Sequence, residues 1–69
     1  MKSHLFIDAK DAERCMESLN HQKLIAIDGA DTLTGRVRSF RGVIVSVERS
    51  AAESPGQGWR VAIDTELAR

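Results

Sequence analysis

Arg36, Arg38 and Arg41 crowd into one short stretch around Val37, Ser39 and Phe40. A guanidinium presents a planar fork of donors that suits phosphate oxygens, so the three are candidate phosphate contacts. Arg36 and Arg38 flank Val37 and would share one face of a strand. The plain alternative is a solvated sheet face, or charges that keep a strand edge from pairing. Phe40 could stack a base at a hairpin tip, or pack beside the turn. Trp59 is the only tryptophan and follows a glycine-bearing loop. It could be a stacking platform, an interface anchor, or the residue that closes a small core.

Other chemistry is thinner. His21 could carry a proton, but no nucleophile stands beside it. Asp28 and Asp64 end two similar strands, and paired carboxylates could do acid–base work. Ordinary strand-end turns explain them as well. Gly56-Gln57-Gly58 is followed by no lysine, serine or helix start, so it is not a phosphate loop. His4, Cys15 and His21 are the only soft metal ligands, and their spacing matches no zinc pattern. The expectation is therefore no catalytic residue, no metal site, no cofactor and no enzyme.

The totals bound what can carry these side chains. Sixty-nine residues allow one domain with a thin core. A single cysteine permits no internal disulfide, and Cys15 falls where a small core residue would. A partner subunit remains as an aid to stability. The formal net charge is zero, yet the distribution is uneven. Residues 35–47 hold three arginines and no acid, whereas residues 1–34 hold six acids against four bases. A local basic patch on a neutral protein follows. No run is long and apolar enough for a membrane span, and the N-terminal residues lack a signal-peptide apolar core. A soluble cytoplasmic protein is expected, with no membrane contact.

The positioning elements read as follows. Residues 1–4 look frayed, and Leu5-Phe6-Ile7 is a short strand or the lead-in to a helix. Asp8 is a good N-cap. Ala9, Ala12, Cys15, Met16 and Leu19 then recur at helical spacing, which predicts a helix over about 9–19. Asn20 suits its left-handed end. Strands are expected over about 23–28, 32–39, 43–49 and 59–64, with an exposed loop over 50–58. Leu24 to Ile27 read as covered on both faces, and Asp28-Gly29 as a turn. Residues 32–49 read as one hairpin turning at Phe40-Arg41-Gly42, with Gly42 at positive φ. That turn sets Val37 opposite Val45 and Gly35 opposite Val47. Leu33, Val37, Val43, Val45 and Val47 then face inward, and Ile44 falls on the polar face. The fold class is α+β or mostly β: an N-terminal helix, then a strongly bent antiparallel sheet curled into a small SH3-like barrel.

Leu33-Thr34-Gly35-Arg36-Val37-Arg38-Ser39-Phe40, followed by the apolar residues 43–47, resembles the first sequence motif of Sm-like proteins, especially Hfq, the bacterial Sm-like RNA chaperone. Trp59-Arg60-Val61-Ala62-Ile63 partly resembles the second Hfq motif. The resemblance implies a five-stranded, strongly bent open barrel and a ring assembled through strand edges. It makes single-stranded RNA a candidate partner, with Arg60 added to the basic set. The sequence departs from the family at three positions. Arg41 stands where an acid supports the turn, Val43 where an aromatic stacks uridine, and Val61 where a histidine is usual. Two readings follow. One is an Sm-like RNA-binding module using Arg36, Arg38, Phe40, Arg41, Trp59 and Arg60, and forming a homo-oligomer. The other is an interaction or accessory domain that kept the barrel, lost the RNA site and binds an unidentified protein partner.

Overall fold

The computed structural model describes residues 1–50 and 58–67. Strand β1 (Lys2–Ile7) leads into helix α1 (Ala9–His21). Strands β2 (Leu24–Asp31), β3 (Val37–Arg49) and β4 (Trp59–Asp64) follow, and a short 3-10 turn (Thr65–Leu67) ends the described chain. The four strands form one antiparallel sheet that closes on itself, with β1 lying between β2 and β4. The coarse expectation, a small α+β fold with a bent antiparallel sheet, describes this molecule.

The helix starts where the sequence says it should. The Asp8 carboxylate accepts from the Asp11 amide at 2.8 Å, filling one of the donor groups a helix start leaves bare. The end lies two residues later than expected. Gln22, not Asn20, takes the left-handed conformation, at φ 53°. The apolar stripe is also rotated: Ala12, Cys15 and Ser18 are buried, whereas Met16 is 41% exposed.

A strand precedes the helix, so the fold is not led by the helix, and residues 2–4 are not frayed. All of β1 pairs with β4, from Lys2 opposite Asp64 to Ile7 opposite Trp59. That pairing joins the two ends of the chain, and no local signal announces it. Leu5 and Ile7 point into the core.

The larger correction concerns the hairpin. β3 runs unbroken through Phe40-Arg41-Gly42, and the chain reverses at residues 32–36 instead. Phe40 pairs with Ile27, and Val37 with Ala30. Neither Val37 with Val45 nor Gly35 with Val47 forms. Among the described glycines Gly35 has the positive φ, 74°. Gly42 serves a different need, because a Cβ there would lie 2.2 Å from the Asp64 carbonyl oxygen. Moving the turn inverts the inward face: Ile44 is buried, while Leu33 is 93% and Val37 73% exposed. Val47 returns to the core only because a bulge between Ile44 and Ser46 shifts the phase. Asp28-Gly29 lies inside β2 and is no turn. β2 is not covered on both faces either: Ile27 is buried, but Leu24 and Ala26 are exposed.

β3 is the spine of the barrel. Its first half pairs with β2 and its second half with β4, and Val43 touches both ladders. Leu5, Ile44, Val61 and Ile63 are fully buried inside it, each contributing about 1.5–3 kcal/mol. The expected inward face of β4, Val61 and Ile63, is the observed one. Ser18 ties α1 across the barrel: its hydroxyl donates to the Lys23 carbonyl at 2.5 Å and accepts from the Ile44 amide at 3.4 Å. Of the loop expected over 50–58, residues 51–57 lie outside the described residues, as does the Leu67 side chain.

Candidate functional site

The turn between β2 and β3 is built from Asp31. Its carboxylate accepts from the Leu33 amide at 2.8 Å, and its carbonyl accepts from Gly35 at 2.8 Å. Its own amide donates to the Arg36 carbonyl at 2.9 Å, and the Thr34 hydroxyl accepts from the Arg36 amide at 3.2 Å. The Thr32 amide donates to the His4 carbonyl at 3.0 Å, which anchors the turn to β1. An aspartate accepting from the amide two residues on is a local turn device. That spacing, Asp31 to Leu33, was the signal that could have located the reversal.

The six residues singled out in the sequence do not meet. Arg36, Arg38, Phe40 and Arg41 lie at the start of β3 and its preceding turn. Arg60 and Trp59 sit opposite Glu48 and Arg49 at the far end. Around the closed sheet Arg60 pairs with Phe6, Phe6 with Ala30 and Ala30 with Val37, so three ladder steps, about 14 Å, separate the two groups.

Several of the six are already engaged. Arg38 lies over the Phe40 ring, 5.4 Å from its centroid, and 3.7 Å from the Asp31 carboxylate. Phe40 is a core residue, buried beside Ile27 and Ile44. Arg60 is ion-paired with Glu48 across β3 and β4; both are half exposed, where such a pair is worth little. Trp59 packs on the core with one part of its surface and carries the Arg49 guanidinium, 4.9 Å from a ring centroid. Arg36 and Arg41 are exposed and form no ion pair among the described residues. Arg49 and Asp31 were not chosen from the sequence, because their roles depend on cross-strand neighbours.

Two of the surface depressions beside α1 differ in lining. One is polar, about 360 Å³, lined by Asp11, Arg14, Asp28 and Ser39 among others. There the Ser39 hydroxyl donates to Asp28 at 2.6 Å, and Arg14 donates to the Ala26 carbonyl at 3.1 Å. Asp28 is thus engaged on β2, while Asp64 accepts from the Glu66 amide at 3.1 Å; the two do not form a carboxylate pair. The other depression is an apolar groove of about 580 Å³, where Leu19 and Gln22 face Val43, Ile44 and Val45. Leu24 pairs with Val43 at its border, and Met16 lies one helical turn before Leu19.

Cys15 is fully buried, and burial pushes its thiol from the ordinary 9.0 up to about 11, with Asp11 adding to the rise. It is a neutral packing group at physiological pH. Among the described residues, no cluster of histidine, cysteine and acidic side chains is placed to hold a metal. Among them, too, no helix is long and apolar enough to cross a membrane. Compared with known proteins, the chain matches no family model, no curated protein and no solved structure.

Proposed function

We propose that this protein is a non-enzymatic, cytoplasmic protein-interaction module. The observation that carries the reading is an exchange of roles between aromatic and aliphatic side chains. Phe40 is sealed in the core and Trp59 is overlaid by Arg49, so neither ring is free to stack a base. Leu33, Val37, Met16, Leu24 and Val45 are instead left exposed. Bare aliphatic side chains suit an apolar protein surface, whereas single-stranded nucleic acid favours free rings and clustered cations. The Sm-like likeness enters this proposal as architecture only, a small barrel with a long bent strand shared by two halves. β1 and β2 share only two residue pairs, and β3 pairs with β2 along its first half and with β4 along its second, so stretches of strand edge stay open to a partner.

Arg36 and Arg41 support a second reading, binding of single-stranded RNA through two phosphate contacts. Titration of labelled single-stranded RNA at two salt concentrations separates the two. The interaction reading expects no binding at physiological salt. Two contacts on a single strand would give a slope of log affinity against log salt of about −1.4. Tight binding that persists at physiological salt would sink the interaction reading.

A further inference from the structure

β3 pairs with β2 through its first half and with β4 through its second, so part of each edge is left without a strand. The phase of the ladders fixes which backbone groups line those parts. The Asp31 amide donates to the Arg36 carbonyl, and bonded pairs alternate along an antiparallel ladder. The amides and carbonyls of Val37, Ser39 and Arg41 therefore point away from β2. Val43, next in that row, is taken by Asp64, where the β4 ladder stops. The chain then enters the 3-10 turn, and among the described residues no backbone bond reaches Val37, Ser39 or Arg41 from that side. The other bare stretches are not open in this way, because α1 covers them. Arg14 donates to the Ala26 carbonyl on the side of β2 away from β3, and the Ile44 amide donates to Ser18 on the side of β3 away from β4.

We propose that this edge of β3, from Val37 to Arg41, takes up an extended segment of an acidic partner protein as an added strand. This rests on the reading of the protein as an interaction module, and it names the chemistry of the partner. A row of alternating free donors and acceptors matches a peptide backbone, whereas phosphate oxygens accept and cannot donate. Charge selects the sign. Arg36 and Arg41 bracket the edge and form no ion pair among the described residues, and residues 32–47 contain no acid. Acids on neighbouring elements are engaged: Asp28 by Ser39, Asp31 by Arg38 and Glu66 by the Met1 ammonium. A second copy is disfavoured on the same ground. Pairing this edge with itself about a two-fold axis would set Arg41 of each copy beside Val37 and Arg36 of the other. Val37, 73% exposed, and Arg41, also exposed, lie on one face of the strand. An antiparallel added strand thus presents an acid opposite Arg41 and, four residues on, an aliphatic side chain opposite Val37.

Titration of the isotope-labelled full chain with the capped peptide Glu-Val-Thr-Glu-Val-Glu, followed through amide resonances, tests the proposal. Antiparallel to β3, its first glutamate, its threonine and its second valine fall opposite Arg41, Ser39 and Val37. Binding at about 0.1–1 mM is expected, the strength of a few backbone hydrogen bonds and exposed charge pairs. The amides of Val37, Ser39 and Arg41 should shift, and their hydrogen exchange should slow. Methylating the backbone nitrogens of the threonine and the second valine leaves every side chain in place. It should weaken binding about tenfold or more, because two ladder bonds are lost. Lysine in place of each glutamate should abolish measurable binding, and Arg41→Glu should weaken the acidic peptide about threefold to tenfold. Unmoved amides at several millimolar peptide overturn the proposal, as does full affinity of the methylated peptide. Equal binding of the lysine peptide overturns the acidic partner. A mass that doubles with concentration, with the same amides shifting in the absence of peptide, overturns it in favour of a second copy. A protein bound elsewhere on the chain, with those amides unmoved, overturns the added strand and leaves the interaction reading intact. RNA that binds tightly at physiological salt and moves the same amides overturns both.

Discussion

The two ends of β3 are treated differently. Toward Arg49, the strand runs under α1 and beside β4, and Ile44 and Val47 pack with Cys15, Val61 and Trp59. Ser18 ties the helix to Lys23, just before β2, and to Ile44 of β3. Toward Val37, the strand carries side chains that the fold does not use. Leu33, Val37, Arg36 and Arg41 are exposed, while their backbone is hydrogen-bonded in the turn or paired in the β2–β3 ladder. Rigid backbone under unused side chains is what a recognition surface needs and what a core does not. The difference predicts that substitutions near the seam cost stability, whereas those near the turn cost association.

Gly42→Ala should be the most damaging change. Its methyl would meet the Asp64 carbonyl oxygen at 2.2 Å, and that oxygen belongs to the backbone of a paired strand. Overpacking costs about 1–3 kcal/mol and more where the neighbour is fixed backbone, a large share of the stability of a domain this small and a clear drop in the urea midpoint. A variant that melts like the wild type would refute the β3–β4 register. Gly35→Ala meets open space but keeps a positive φ, so a loss of only about 1 kcal/mol is expected.

Ser18→Ala removes a donor to Lys23 and an acceptor for Ile44. A loss of roughly 1–3 kcal/mol in denaturant melts is expected, because both partners become unsatisfied near the core. An unchanged midpoint would mean that the helix is held by apolar contacts alone.

Cys15 links the seam to pH. Its thiol ionises near 11 in the folded chain and near 9.0 once unfolded. The unfolded state therefore loses its proton first as pH rises. Stability from this group is whole below pH 9 and falls between pH 9 and 11, by roughly 2–3 kcal/mol at most. Cys15→Ala should flatten that decline, and a disulfide reagent should leave the folded thiol untouched at pH 8. Rapid labelling of the native protein would contradict the burial.

Leu33→Asp should be nearly silent in unfolding, within about 0.5 kcal/mol of the wild type, as befits a surface site. A large loss of stability would show that the leucine packs inside the molecule and would erase the contrast between the two ends.

Local chemistry made α1 legible, because Asp8 and the apolar spacing act within a few residues. It made β4 legible too, since Val61 and Ile63 alternate without ambiguity. The hairpin was misread for a specific reason. Gly35 and Gly42 both suit a reversal by local criteria, and Thr34 to Arg38 alternates like a strand. What separates them lies elsewhere: Asp31 closes the turn on one, and Asp64, twenty-two residues away in sequence, crowds the other. Of the six candidate site residues, sequence identified the charges and rings. It could not show that Arg38 would be taken by Asp31, Arg60 by Glu48 and the Trp59 ring by Arg49.

By itself the sequence determined one helix with its cap, an antiparallel sheet and an uneven spread of charge. Those features follow from composition and from interactions within a turn or two of chain. Only the tertiary structure decided which glycine bends and which is overlaid, and which face of β3 is the core. It also decided that the chain's first strand closes the barrel against its last. Each of these depends on contacts between residues far apart in sequence, and register is a property of two strands together. A shift of one residue exchanges the whole inward and outward set. Here that exchange left Leu33 and Val37 in solvent and brought Ile44 into the core.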